Sequence, residues 1–179
     1  KLSKIKSFNE VKSVSFNYER KGMIHHLSNQ SLVTFKQVSA DYFESFNEIP
    51  YVGALPLENE IFLGNDIASR LGIRTGDIVK ISSPLDKRFI LGFPPTLEVR
   101  VSGIFSSKIL NYDNKYIFIS KTIGKKLFSN ADENQFIDIK IHHSSKIDGA
   151  RMALSNIIGG QIISSWRDRN IALVGAIQM

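Results

Sequence analysis

The stretch Ile81–Phe105 limits what this chain can fold into more than any other. It reads Ile81-Ser-Ser-Pro-Leu-Asp-Lys-Arg-Phe-Ile-Leu-Gly-Phe-Pro-Pro-Thr-Leu-Glu-Val-Arg-Val-Ser-Gly-Ile-Phe105. Leu97, Val99 and Val101 alternate with Glu98, Arg100 and Ser102, the two-residue period of a half-buried strand. Val79-Lys-Ile81 reads as its partner. Between them lies an apolar tip, Phe89-Ile-Leu-Gly-Phe93, bracketed by Pro84 and by Pro94-Pro95. Hairpin tips are usually short and polar. This one is long, apolar and stiffened by proline. Two readings compete. In one, the loop folds back and Phe89, Leu91 and Phe93 join the core. In the other it projects as a preformed apolar hook for a partner protein, since prolines reduce the entropy lost on docking.

Further residues carry a resemblance. Gly72-Ile-Arg-Thr-Gly-Asp77, Ile81-Ser-Ser-Pro84, the Gly-Phe-Pro-Pro tip at residues 92–95, Val101-Ser-Gly-Ile-Phe105 and Tyr112-Asp113 follow one another in order. The run resembles the periplasmic domain of LolC/LolE-type lipoprotein-releasing permeases, members of the wider MacB/FtsX-like superfamily of ABC transporter subunits. The resemblance implies that the hairpin is a hook that grips the periplasmic lipoprotein carrier LolA. The hook would use Pro84, Leu85, Lys87, Arg88, Phe89, Ile90, Leu91, Phe93, Pro94 and Pro95. The apolar side chains and prolines would fill a groove on the carrier, with Lys87 and Arg88 meeting acidic groups at its rim.

The same resemblance implies an inner-membrane protein whose periplasmic part this is. A lipoprotein would be the substrate, with a second permease subunit and a cytoplasmic ATPase subunit as further partners. An alternative is a MacB/FtsX-like permease coupled to an efflux adaptor or a cell-wall hydrolase. Those relatives need no proline-bracketed apolar hairpin. The chain begins at Lys1 and ends in the apolar run Ala172–Met179 without a helix breaker, as expected of a fragment whose flanks are transmembrane helices.

Taken in order, Leu2, Ile5 and Phe8 predict a short helix over Leu2–Asn9. Val11–Tyr18 is a strand, and Gly22 turns the chain. Met23–Leu27 and Leu32–Val38 form a hairpin around Ser28–Ser31. Asp41–Phe46 is a helical turn, and Pro50, Gly53 and Pro56 mark an irregular connection. Ile61–Leu63 is a strand. Asn65 or Asp66 caps a helix on Ile67, Ala68 and Leu71, and Gly72 ends it. Gly76-Asp77 is a turn, Ser106–Leu110 a connection and Asn111–Asn114 another turn. Tyr116–Ile119 is a buried strand. Ser120 caps a helix reaching Asn130, Phe136–Ile141 is a strand, and Lys146–Ile158 is a helix on Ile147, Ala150, Leu154 and Ile157. Gln161–Ser164 is a last strand, which would complete a right-handed strand–helix–strand unit. Trp166 opens a terminal helix as a packing anchor.

The expected fold class is α+β with two subdomains. Residues 1–38 and 134–179 form a discontinuous porter-like α/β sandwich. Residues 39–133 form an inserted small, β-rich α/β module that carries the hook at 83–96.

Composition removes several functions. With no cysteine there is no disulfide, thiol nucleophile or thiolate metal site. No apolar run reaches the ~20 residues of a membrane-spanning helix. The net charge of +6 invites nucleic-acid binding, yet the cations are scattered, and the tightest groups, Lys87-Arg88 and Lys125-Lys126, are only pairs. A nucleic-acid site wants a basic stripe interleaved with aromatics, so no nucleic-acid partner is expected. His25-His26 and His142-His143 are adjacent pairs that would point to opposite faces of a strand, so neither pair chelates a metal alone. Asp77 reads as a carboxylate bonding nearby turn amides. No nucleophile elbow, zinc motif or phosphate loop is present, so neither enzymatic activity nor a cofactor is expected.

Overall fold

The computed structural model describes residues 2–39, 42–43, 49–84, 93–109, 111–128, 135–143, 146–159, 162–165 and 168. It is an α+β fold. The strands are β1 (Val11–His26), β2 (Asn29–Gln37), β3 (Tyr51–Gly53), β4 (Glu60–Gly64), β5 (Ile78–Ser82), β6 (Thr96–Phe105), β7 (Tyr116–Ile119) and β8 (Gln135–Ile141). The helices are α1 (Leu2–Lys6), α2 (Asn65–Leu71), α3 (Lys121–Leu127) and α4 (Ile147–Ile158).

Six strands close on themselves. β1 pairs antiparallel with β2, β2 parallel with β7 and β7 antiparallel with β4. β4 then pairs parallel with β6, β6 antiparallel with β5, and β5 antiparallel with β1 again. A ring this small is filled by its own side chains. Ile24, Val33, Phe35, Ile61, Leu63, Val79, Ile81, Val99, Val101, Ile117 and Ile119 form one buried cluster with Ile67, Ala68 and Leu71 of α2 and Ile123 and Leu127 of α3. Closure also removes the free strand edges that promote aggregation.

Residues of the opposite parity build a second core. Phe62 lies between Ile61 and Leu63, and Phe118 between Ile117 and Ile119; both rings belong to a cluster with Val38, Phe43 and Phe105. β4 and β7 are therefore buried on both faces, which explains their unbroken apolar runs. The rings meet edge-on or tilted, for example Phe43 against Phe62 at 5.8 Å and Phe105 against Phe118 at 5.3 Å.

Several local expectations need correction. Gly22 does not turn the chain; β1 runs through it, because a Cβ there would collide with the Phe35 ring and stand 2.6 Å from the Ser82 carbonyl oxygen. The turn is tighter than Ser28–Ser31 and consists of Leu27-Ser28, with His26 opposite Asn29. Tyr51–Gly53 is not wholly irregular but adds β3 to β6. Neither Asn65 nor Asp66 caps α2; Gly64 stands at that position without a side-chain bond, and the left-handed Gly72 ends the helix. Ser120 does cap α3, its Oγ accepting from Ile123 N at 3.2 Å, but the helix stops at Leu127. Residues 162–165 form no strand. Trp166 and the segment after Asp168 lie outside the described residues.

The chain divides into two compact units: Lys1–Val14 with Asp138–Met179, and Ser15–Ile137. Residues 15–38, expected with the outer subdomain, fall in the second unit because β1 and β2 complete the ring. The first unit has its own small core, Ile5, Leu154 and Ile158, with Val14, Ile139, Ile157 and Ile163 packed on it. Asp148 and Arg151 of α4, with Arg151 reaching Asp168 at 3.1 Å, supply its exposed polar side.

Candidate functional site

β5 and β6 pair from Ile78↔Arg100 to Ser82↔Thr96, so residues 83–95 form the loop that the sequence singles out. Its base is pinned. Ser83 N donates to the Pro95 carbonyl at 3.3 Å, and Thr96 Oγ1 donates to the Pro94 carbonyl at 3.2 Å. Ser82 and Ser83 are buried, and His25 Nε2 stands 3.3 Å from Ser82 Oγ. Each of these bonds fixes a stem residue, and the prolines fix φ on both sides of the loop.

Pro84, Pro94 and Pro95 are half-buried, and Phe93 is 74% exposed. Phe93 therefore contributes nothing to either core of the ring. Leu85, Lys87, Arg88, Phe89, Ile90 and Leu91 lie outside the described residues.

The remaining flagged residues take structural posts. Asp77 Oδ2 accepts from Arg74 N at 2.7 Å, the turn-amide role expected of it. His26 Nδ1 lies 3.0 Å from the Leu71 carbonyl, and its Nε2 lies 3.6 Å from Asp77. His26 thereby ties the end of α2 to the turn before β5. His142 and His143 are exposed. Among the described residues no three His, Asp or Glu side chains converge as a metal site would require.

Tyr112 and Asp113 are also structural. Burial, and then the neighbouring Tyr42, pushes the Tyr112 phenol far above its ordinary range, so it stays protonated. The buried Asp113 carboxylate accepts from both Ser107 N (3.0 Å) and Ser107 Oγ. That pair holds the 106–109 connection against the ring. Sequence reasoning missed it, because a serine six residues before an aspartate is no motif.

Among the described residues no helix is long and apolar enough to cross a membrane. No family model and no curated protein matches the chain. Solved structures do. The extracellular domain of the noncanonic ABC-type transporter YknZ from Gram-positive bacteria aligns over 89% of this chain and 83% of that one, with 14% identity and a TM-score of 0.57. The periplasmic region of MacB from Actinobacillus actinomycetemcomitans aligns over 88% and 72%, with 14% identity and a TM-score of 0.54. The fold is that of extracytoplasmic domains of MacB-type ABC permeases. At this identity the likeness is one of architecture. The loop at 83–95 joins β5 to β6 of that fold.

Proposed function

We propose that this chain is the extracytoplasmic domain of an ABC transporter permease that releases lipoproteins from the inner membrane. It hands them to a LolA-like periplasmic carrier, which docks on the 83–95 loop. The observation that carries the reading is the loop itself. It is apolar in sequence, proline-bracketed, pinned at its stem by the Ser83–Pro95 bond, and offers Phe93 to solvent. The fold shared with YknZ and MacB supports the broader assignment to ABC permeases.

In this reading the domain catalyses nothing. ATP hydrolysis in a separate cytoplasmic subunit drives motions that reach it through flanking transmembrane segments, and a second permease subunit completes the transporter. Pro84, Pro94 and Pro95 preorganise the loop, so less entropy is lost when Phe89, Ile90, Leu91 and Phe93 enter the carrier. Lys87 and Arg88 meet carboxylates at the rim, where charge sets rate and register more than affinity. A second reading, favoured by the MacB likeness, is a permease domain that couples to an efflux adaptor, with the loop contacting that adaptor instead.

Calorimetric titration of the domain against the periplasmic carrier of the same cell, with and without residues 85–95, separates them. Binding lost on deletion supports carrier docking. Undiminished binding removes the loop from the interface, and no binding at all favours the adaptor reading.

A further inference from the structure

Charge is divided unequally between the two units. Lys1–Val14 with Asp138–Met179 holds nine lysines and arginines against four aspartates and glutamates, a net charge of +5. The formal total is +6, so the longer unit, Ser15–Ile137, keeps only +1. Its own cations are matched almost one for one by carboxylates. The excess therefore belongs to one part of the molecule, where it acts on whatever lies beside that part.

Part of that excess is gathered around Glu10. Ile5 of α1 is buried against Leu154 and Ile158 of α4, and Lys4 and Lys6 on either side of it are exposed. Two successive tight turns carry the chain from α1 into β1: Phe8 N donates to the Ile5 carbonyl at 3.2 Å, and Val11 N to the Phe8 carbonyl at 2.9 Å. His142 N donates to the Glu10 carbonyl at 2.9 Å, and Lys146 N to the His143 carbonyl at 3.0 Å, which brings the start of α4 to the same place. There Lys146 Nζ lies 3.4 Å from Glu10 Oε1. Lys12 is exposed and shares a strand face with Val14, the face on which the small core of this unit packs. Glu10 is thus answered by Lys146, and among the described residues Lys4, Lys6 and Lys12 have no carboxylate within ion-pair distance. Asp148, exposed in the first turn of α4, adds one negative charge to this region.

From this concentration of lysines we infer that the terminal unit rests electrostatically on an anionic lipid surface, held there by Lys4, Lys6, Lys12 and Lys146. The inference builds on the permease role proposed above, which places transmembrane segments at both ends of the chain; Lys1 and Met179 belong to this same unit. Residue type separates a bilayer from a protein partner. Lysine is depleted at protein interfaces, where arginine is preferred for its fixed fork of donors. A compact ammonium on a flexible stem suits headgroup phosphates that move laterally, and each lysine near such a surface strengthens binding about fivefold. No residue of the 83–95 loop takes part, so the two surfaces are tested apart.

Co-sedimentation of the chain with vesicles of mixed phosphatidylglycerol and phosphatidylcholine, against vesicles of phosphatidylcholine alone, tests this. Binding is expected to the anionic vesicles only, and it should vanish in about 1 M salt, where the screening length falls to about 3 Å. Lys4→Glu/Lys6→Glu/Lys12→Glu should lower the partition coefficient at least tenfold. Lys121→Glu/Lys125→Glu/Lys126→Glu, on α3 of the other unit, changes the net charge equally and should lower it less than threefold. Circular dichroism confirms that both variants fold. Carrier affinity, titrated on the same variants, should not change, so failure at the vesicles and failure at the carrier are read separately. Equal sedimentation with neutral vesicles, an equal loss in the α3 variant, or no vesicle binding at all overturns the proposal. Capture by immobilised polyglutamate without vesicle binding also overturns it, by assigning the lysines to an acidic protein.

Discussion

Gly64 and Asp113 approach each other so closely that a side chain on Gly64 would stand 2.6 Å from the Asp113 Cα and carbonyl carbon. Gly64 ends β4 and starts α2, while Asp113 also clasps Ser107 and accepts from Ile67 N through its carbonyl. The first turn of α2 and the chain entering β7 are thereby packed backbone to backbone.

Gly64→Ala is therefore expected to destabilise the Ser15–Ile137 unit by about 2–3 kcal/mol, since backbone rather than a flexible side chain must move. Urea unfolding of both forms measures this. A loss under about 0.5 kcal/mol would show that the 106–115 connection yields easily.

Leu27→Gly should act in the opposite direction. Relief of the left-handed strain at its φ of 53°, about 1–2 kcal/mol, outweighs the extra freedom of an unfolded glycine and leaves a gain of about 0.5 kcal/mol. Thermal melts should shift upward. A downward shift would mean that the Leu27 side chain makes a stabilising contact in spite of its exposure.

Phe93→Asp separates docking from folding. With Phe93 74% exposed, stability should change by less than about 0.5 kcal/mol. Carrier affinity should fall by about 2–4 kcal/mol if the ring is an anchor. A lowered melting temperature would instead return Phe93 to the interior.

Acid should act on the Ser165–Asp168 pair. The Ser165 backbone N–H, then the Ser165 side chain, then Arg151 hold the Asp168 carboxyl below its ordinary range. A carboxyl with a depressed native pKa binds protons more readily in the unfolded chain. Its contribution is thus present above the unfolded value of about 3.9 and is lost as pH falls through the native one. An NMR titration should give a midpoint below 3.9. In Asp168→Asn, stability should fall less between about pH 5 and pH 2 than in the parent chain. A midpoint at the ordinary value would show the pair to be open in solution.

What was legible in the sequence was local. The alternation at Leu97–Val101, the cap at Ser120 and the left-handed stop at Gly72 each act within a few residues, and each stands where expected. Closure of the ring was not legible, because it depends on β2 pairing with β7 across some eighty residues of chain. Gly22 shows the same limit. A glycine in a polar stretch reads as a turn, and only the distant Phe35 ring and Ser82 carbonyl reveal why the strand needs it. At the candidate site the proline bracket was visible at once. The bonds that pin its stem, Ser83 to Pro95 and His25 beside Ser82, were not, since they form only once β5 meets β6 and β1.

The length of β1 has a mechanical consequence. One unbroken strand of 16 residues begins in the terminal unit and ends in the wall of the barrel. Its antiparallel ladder with β2 runs from Tyr18 to His26. Tension along β1 within the barrel loads that ladder lengthwise, so its hydrogen bonds share the load together instead of parting one after another. Force directed along β1 therefore meets the nine paired residues of the ladder at once.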